Sequence, residues 1–270
     1  MQGSTIHYWL VEHPIVSQFE WKQGITFGSS PLFLKLSLLT YLTLTFILHR
    51  FPVPPPFRPA TLRFITAVHS LFLCILSVIM AAGCILSTLH HIQMRGNDWT
   101  WAVCFPADRT PPRGPTFFWA QIFYLSKLLE FIDTLLILLS SSRSRRLSFL
   151  HVYHHTVVVI MCYLWLSTSQ TLFPVGLVTN ASVHIVMYAY YMLSALGIRP
   201  RWKRFVTNFQ IFQFVFGFAI SGLMLYYHFT GSGCSGMPGW CFNTIFNGTL
   251  LALFLDFHSK NYGKESSKMA

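Results

Sequence analysis

The sequence predicts an all-α polytopic membrane protein, with seven transmembrane helices enclosing a polar chamber and an apolar tunnel. Two observations carry that fold class. Of 270 residues, 53% are hydrophobic and only 10% charged, with a mean hydropathy of +0.49, whereas soluble domains average about 25% charged residues. Apolar runs of roughly 20 residues, enough to cross a hydrocarbon layer about 30 Å thick, also recur along the whole length. An aromatic share of 17% excludes disorder, and six cysteines in a chain this long are too sparse for a disulfide scaffold.

The spans are expected near 31–49, 65–89, 117–140, 150–167, 171–196, 205–229 and 240–258. Short links make the third, fourth and fifth antiparallel neighbours. The fifth is weakest in hydropathy because it carries Asn180, His184 and several tyrosines. It is still expected to be helical, since lipid offers the backbone no other way to satisfy its hydrogen bonds. The Pro-rich piece Phe51–Phe57 reads as a stiff turn between the first two spans. No internal repeat or soluble domain stands out, so residues 1–270 form a single domain with a lumenal N-terminal segment (1–30) and a cytosolic tail (259–270).

Charge sets that orientation. Segments 50–63, 141–149, 197–204 and 259–270 hold 13 of the 19 Lys and Arg, against four in 1–30 and 90–116, a positive-inside bias. The formal net charge of +11 is therefore mostly topology, with no nucleic-acid motif beside it. The same basic loops also suit a phosphorylated substrate or anionic lipid. The first thirty residues lack a basic, then apolar, leader, so no cleavable signal peptide is expected. Cys74, Cys84 and Cys162 fall within spans as packing residues, while Cys104 and Cys234 share the non-cytosolic side. That compartment permits a Cys104–Cys234 disulfide, with a free thiol pair as the alternative.

Ionisable groups within spans are costly, at roughly 2.5–3.5 kcal/mol each on insertion scales, and usually mark function. Here they are grouped. Lys127, Glu130 and Asp133 recur by threes along one drifting helix face, readable as a self-neutralising structural network or as part of a site. His151, His154 and His155 have i, i+3, i+4 spacing, which gathers three imidazoles on one face within a turn. That pattern suits metal ligands or acid–base and nucleophilic chemistry. Cys162 lies on the same face, as a thiol nucleophile or a small filler. Asn180, His184, Tyr188 and Tyr191 form a stripe on span five, and Thr207, Gln210 and Gln213 follow at steps of three on span six, where helix–helix hydrogen bonding is the plain alternative. Counted at about 1.5 Å per residue from the cytosolic charges, these groups reach overlapping depths. They predict one polar chamber opening toward the cytosol, and the stretch Phe214–Phe218 could wall an apolar tunnel beyond it.

Taken together, Lys127-x-x-Glu130-x-x-Asp133-Thr134, His151-x-x-His154-His155, Asn180-x-x-x-His184-x-x-Met187-Tyr188-x-Tyr190-Tyr191 and Thr207-x-x-Gln210-x-x-Gln213 resemble the motifs of the ELO family of very-long-chain fatty acid elongases. The order of the motifs matches, and the general look is of the fungal and plant members. The resemblance implies a 3-ketoacyl-CoA synthase of the endoplasmic reticulum membrane. Such an enzyme condenses a long-chain acyl-CoA with malonyl-CoA, releases CO2 and free CoA, and needs no cofactor or metal. It further implies His154 as acyl acceptor, with His151 and His155 as orienting or acid–base partners. His184, supported by Asn180, polarises the thioester or enolate, and Lys127, Glu130 and Asp133 set the charge state of the imidazoles. Tyr188, Tyr191, Gln210 and Gln213 support them, and Arg145, Arg146, Lys203 and Arg204 meet the CoA phosphates. Expected partners are membrane lipid and the ketoacyl reductase, dehydratase and enoyl reductase of the same cycle; a homodimer is left open, and nucleic acid is not expected.

Three rivals remain at this point. A membrane di-iron desaturase or hydroxylase shares the histidine box but needs about eight ligands in one place. A seven-helix receptor shares span count and orientation but explains neither the imidazoles nor the carboxylates. A lipid transporter would need the chamber but not three stacked imidazoles.

Overall fold

The computed structural model describes residues 5–51, 54, 56–107, 110–140, 147–198 and 200–266, the last four without their side chains. Its main helices are α1 (Pro31–Arg50), α2 (Pro59–Met94), α3 (Pro115–Leu129), α4 (Phe131–Leu138), α5 (Phe149–Ser167), α6 (Phe173–Ala195), α7 (Lys203–Thr230) and α8 (Met237–Ser266). No strand is present among the described residues. Proline opens α1, α2 and α3, where its missing N–H is no loss and its fixed φ suits the first turn. Ser30 and Ser148 cap α1 and α5 through their side chains.

Among the described residues five helices are long and apolar enough to cross a membrane: α1, α2, α5, α7 and Met237–Tyr262 of α8. Their outer faces expose large apolar side chains, among them Leu36, Phe46, Phe72, Phe212 and Ile245, which is the surface a lipid solvent favours and water does not. The other two expected spans differ from the sequence reading. Residues 117–140 do not form one helix: the rod changes at Glu130, between α3 and α4, where the Asp133 amide bonds the Glu130 carbonyl one residue short of α-helical spacing. The polar stripe of α6 lowers its hydropathy, and it is not one of the five.

Helix α2 packs most extensively against α6, α3 against α2 and α5, α7 against α6 and α8, and α1 leans on α4 and α5. The α2–α3 approach depends on Gly83, since a Cβ there would overlap the Trp119 indole. That indole is held by its N–H bond to the Leu10 carbonyl, 2.9 Å away. Gly83→Ala therefore exchanges a helix-propensity gain of about 1 kcal/mol for overpacking that costs about 1–3 kcal/mol. A lower thermal midpoint in detergent is the expected outcome.

One end of the bundle is sealed. The N-terminal segment buries Val11, Val16 and Trp21. Its carbonyls at Phe27, Gly28 and Ser29 accept bonds from Gln121, Tyr124 and Tyr163 of α3 and α5. Beside it, Cys104 and Cys234 are joined by a disulfide. Pro106 bridges Cys234, Ser235 donates to the Phe105 carbonyl at 2.8 Å, and Thr171 donates to the Ser235 carbonyl at 3.3 Å. This stapled cap meets the C-terminal end of α5, about 18 Å along the helix from His155. Cys104→Ser is expected to lower the unfolding midpoint, by about 2–4 kcal/mol of stability, while leaving the residual folded protein active. Thermal melts paired with activity per folded molecule check this.

Candidate active site

The polar residues of the four motifs gather toward the other end of the bundle. Lys127 is fully buried, at 0% exposure. Its ammonium has three hydrogens, and it lies within bonding distance of three acceptors: Glu130 Oε1 at 2.7 Å, Asn180 Oδ1 at 3.1 Å and His184 Nδ1 at 3.2 Å. The Phe123 ring, 4.3 Å away, covers a further side. If Lys127 donates to His184 Nδ1, that nitrogen is an acceptor and the His184 hydrogen sits on Nε2. One cation thus ties α3, α6 and the Glu130 turn together and fixes the orientation of His184. Glu130 Oε1 lies 3.2 Å from the same His184 nitrogen, and its other oxygen is buried without a hydrogen-bond partner among the described residues.

Asp133 does not join that cluster, contrary to the single face read from the sequence. With the helix tightened at Glu130, its carboxylate faces α2 and α6 instead. Tyr188 donates its hydroxyl to Oδ2 at 2.7 Å, and His69 Nε2 lies 3.1 Å from Oδ1. The next residue, Thr134, lies 2.8 Å from His151 Nε2 and 3.1 Å from the Tyr41 hydroxyl. Sequence reasoning missed both His69 and Tyr41. The signal for His69 was a lone imidazole in an otherwise apolar second span; Tyr41 had none.

Within the histidine box, the rings of His151 and His155 are 4.4 Å apart, and those of His154 and His155 are 5.5 Å apart. The His154 ring also lies over Phe246 of α8, at 6.4 Å. Nδ1 of His154 and of His155 is buried without a hydrogen-bond partner among the described residues. Asn180 reaches Gln213 at 3.5 Å, and Gln210 reaches the Met187 sulfur at 3.6 Å, so α7 attaches through the amides the sequence singled out. Tyr191 is 42% exposed, at the rim and 6.0 Å from the Tyr188 ring. Cys162 is 1% exposed and belongs to the apolar core.

Lys203 and Arg204 open α7 and are exposed; Arg204 stands 5.8 Å from the Tyr262 ring. Arg145 and Arg146 lie outside the described residues. A cleft of about 560 Å³ lies at the sealed end, lined in part by Glu20, His91, Arg95, Trp101 and Arg113; none of the motif residues lines it. Among the described residues no group of three or more His, Cys, Asp or Glu is arranged to hold a metal ion.

An all-helical membrane protein with a histidine cluster and a buried lysine–carboxylate–imidazole set is the class that fold and site define. The chain belongs to the ELO (GNS1/SUR4) family, whose model matches residues 26–270. It is 31% identical over 269 residues to "Fatty acid elongase 3-like" of Arabidopsis thaliana, covering 94% of this chain and 91% of that protein. It is 33% identical over 261 residues to "Fatty acid elongase A" of Dictyostelium discoideum, covering 93% and 91%. To "Very long chain fatty acid elongase 2" of Rattus norvegicus it is 32% identical over 225 residues, covering 78% and 74%. No solved structure matches the chain.

Proposed function

We propose that this chain is a very-long-chain fatty acid elongase, an acyltransferase that condenses a long-chain acyl-CoA with malonyl-CoA. The observation that carries this reading is the meeting of two sets of side chains in a chain of this family. An imidazole cluster, His151, His154 and His155, reaches α4 through Thr134, and a buried set in which Lys127 reaches Glu130, Asn180 and His184 meets the same helix through the His184–Tyr188 ring contact and the Tyr188–Asp133 bond.

His154 is the acyl acceptor. Its imidazole attacks the thioester carbonyl, the C–S bond breaks, and the imidazole proton passes to the departing CoA thiolate. The product is an acyl-imidazole, which splits one difficult step into two. Malonyl-CoA then loses CO2, and the electron pair left on its α-carbon as an enolate attacks the acyl carbonyl. The C–N bond breaks, the imidazole takes up a proton, and the 3-oxoacyl-CoA is released two carbons longer. His184, aligned by Lys127 and supported by Asn180, donates to the enolate oxygen. His151 and His155 orient His154. Exclusion of water protects both the acyl-imidazole and the enolate from side reactions.

In this reading seven spans cross the endoplasmic reticulum membrane, with α3 plus α4 and α6 completing the five apolar helices. The N-terminus is lumenal and the C-terminus cytosolic, as the positive-inside bias supports. The polar chamber then opens toward the cytosol, where Lys203, Arg204, Arg145 and Arg146 meet the CoA phosphates. The acyl chain runs into an apolar tunnel beside α7 and α8, toward the sealed end. No cofactor takes part, and the reductases and dehydratase of the cycle act on the product.

Purified protein in detergent, given radiolabelled malonyl-CoA and acyl-CoAs from C16 to C26, is expected to form labelled 3-oxoacyl-CoA without NADPH, and the best substrate names the preferred length. Absence of condensation on every acyl-CoA, with iron bound and an oxidised acyl chain formed instead, would overturn this in favour of desaturase chemistry.

A further inference from the structure

We infer that Tyr41, on a helix that carries none of the four motifs, is a positioning residue for the histidine box and acts on His151 through Thr134. The inference rests on the elongase reading above. Helix α1 is mostly lipid-facing, and Tyr41 and Thr45 are its only buried residues. Tyr41 is 5% exposed, its ring stacks on Phe131 at 4.0 Å and 13°, and its hydroxyl reaches Thr134 Oγ1 at 3.1 Å. Thr134, itself 1% exposed, continues to His151 Nε2 at 2.8 Å.

The relay has a preferred direction. A phenol is the stronger hydrogen-bond donor of its two ends and a neutral imidazole nitrogen the stronger acceptor. Tyr41 therefore donates to Thr134, Thr134 donates to His151, and the His151 ring hydrogen resides on Nδ1. Two consequences follow. His151 Nε2 is occupied and is withdrawn from nucleophilic duty. The ring is also locked in rotation, and since it packs 4.4 Å from His155, which packs 5.5 Å from His154, the lock sets the alignment of the acyl-accepting ring. Second-layer partners that fix an imidazole tautomer act in this way at metal sites, and the same geometry serves a nucleophilic imidazole.

Tyr41→Phe keeps the ring and its stack on Phe131 while removing only the oxygen. In the condensation assay it is expected to lower kcat about five- to tenfold, with KM for acyl-CoA within about twofold of wild type and an unchanged thermal midpoint. Thr134→Val cuts the relay one link nearer and should cost at least as much. The double variant should be no slower than Thr134→Val alone, since both break one chain. Thr134→Ser, which restores the hydroxyl, should recover most of the rate. A Tyr41→Phe protein with wild-type kcat overturns the inference. So do multiplying effects in the double variant, or a loss of rate that tracks a loss of folded protein. Wild-type protein that makes no 3-oxoacyl-CoA overturns the elongase reading instead, and this inference with it.

Discussion

Replacing His154 by alanine is expected to abolish condensation, lowering kcat by about a thousandfold or more, while the protein still extracts, folds and binds acyl-CoA. The expectation follows from how the four intramembrane imidazoles of the motifs are engaged. Nε2 of His151 is taken up by Thr134, which holds that ring as an orienting group, and Nδ1 of His184 is taken up by Lys127, which leaves only its other nitrogen for the enolate oxygen. His154 and His155 both lack a partner at Nδ1 among the described residues, and of the two it is His154 that rests against the Phe246 ring, an apolar wall suited to an acyl chain. Its removal eliminates the atom that takes the acyl group, whereas loss of an orienting imidazole leaves that atom in place. His151→Ala should therefore retain more activity than His154→Ala. Turnover of both variants, measured beside their thermal midpoints, separates lost chemistry from lost fold.

Replacing Lys127 by methionine is expected to have the largest effect on stability. The side chain is fully buried and Glu130 beside it is 2% exposed. Methionine fills much of the same volume but leaves the carboxylate without a counter-charge, and breaking a buried pair from one side costs about 3–5 kcal/mol. Asn180 Oδ1 and His184 Nδ1 lose their donor at the same stroke. Folded yield in detergent should fall sharply. Adding Glu130→Gln removes the stranded charge and should restore part of that yield, since loss of both partners costs less than loss of one. It should not restore condensation, because His184 no longer has the cation that orients it. Size-exclusion profiles and melts of the single and double variants, with activity per folded molecule, test the prediction; equal yields for the two would contradict it.

Much of this site was legible in the sequence because its parts are local repeats. His151, His154 and His155 advertise a shared face by spacing alone, as do Asn180, His184 and Tyr188, and intramembrane polarity marks them as costly. The structure then joins elements far apart in the chain, and that joining is what spacing does not encode. Steps of three from Lys127 to Asp133 suggested one carboxylate face, but a single i+3 bond at Glu130 turns Asp133 toward Tyr188 and His69. Tyr41 meets Thr134 across 93 residues, and nothing in α1 marks that tyrosine above its neighbours. The sealed end was equally hidden. It depends on backbone carbonyls of Phe27, Gly28 and Ser29 accepting from side chains of α3 and α5, and a carbonyl is present at every residue, so no residue type announces its use. The all-helical class was readable from hydropathy. The change of rod at Glu130 was not, because neither proline nor glycine marks it.

The most direct test of the account is the release of free CoA from acyl-CoA in the absence of malonyl-CoA. Purified wild-type protein mixed with its preferred acyl-CoA should release about one CoA per enzyme molecule in a rapid burst and then stop, with the acyl group on the peptide carrying His154; malonyl-CoA added later should discharge it as 3-oxoacyl-CoA. His154→Ala should show no burst. Release of CoA only after malonyl-CoA is added, or an undiminished burst in the variant, would contradict the acyl-imidazole and place the first bond-breaking step elsewhere.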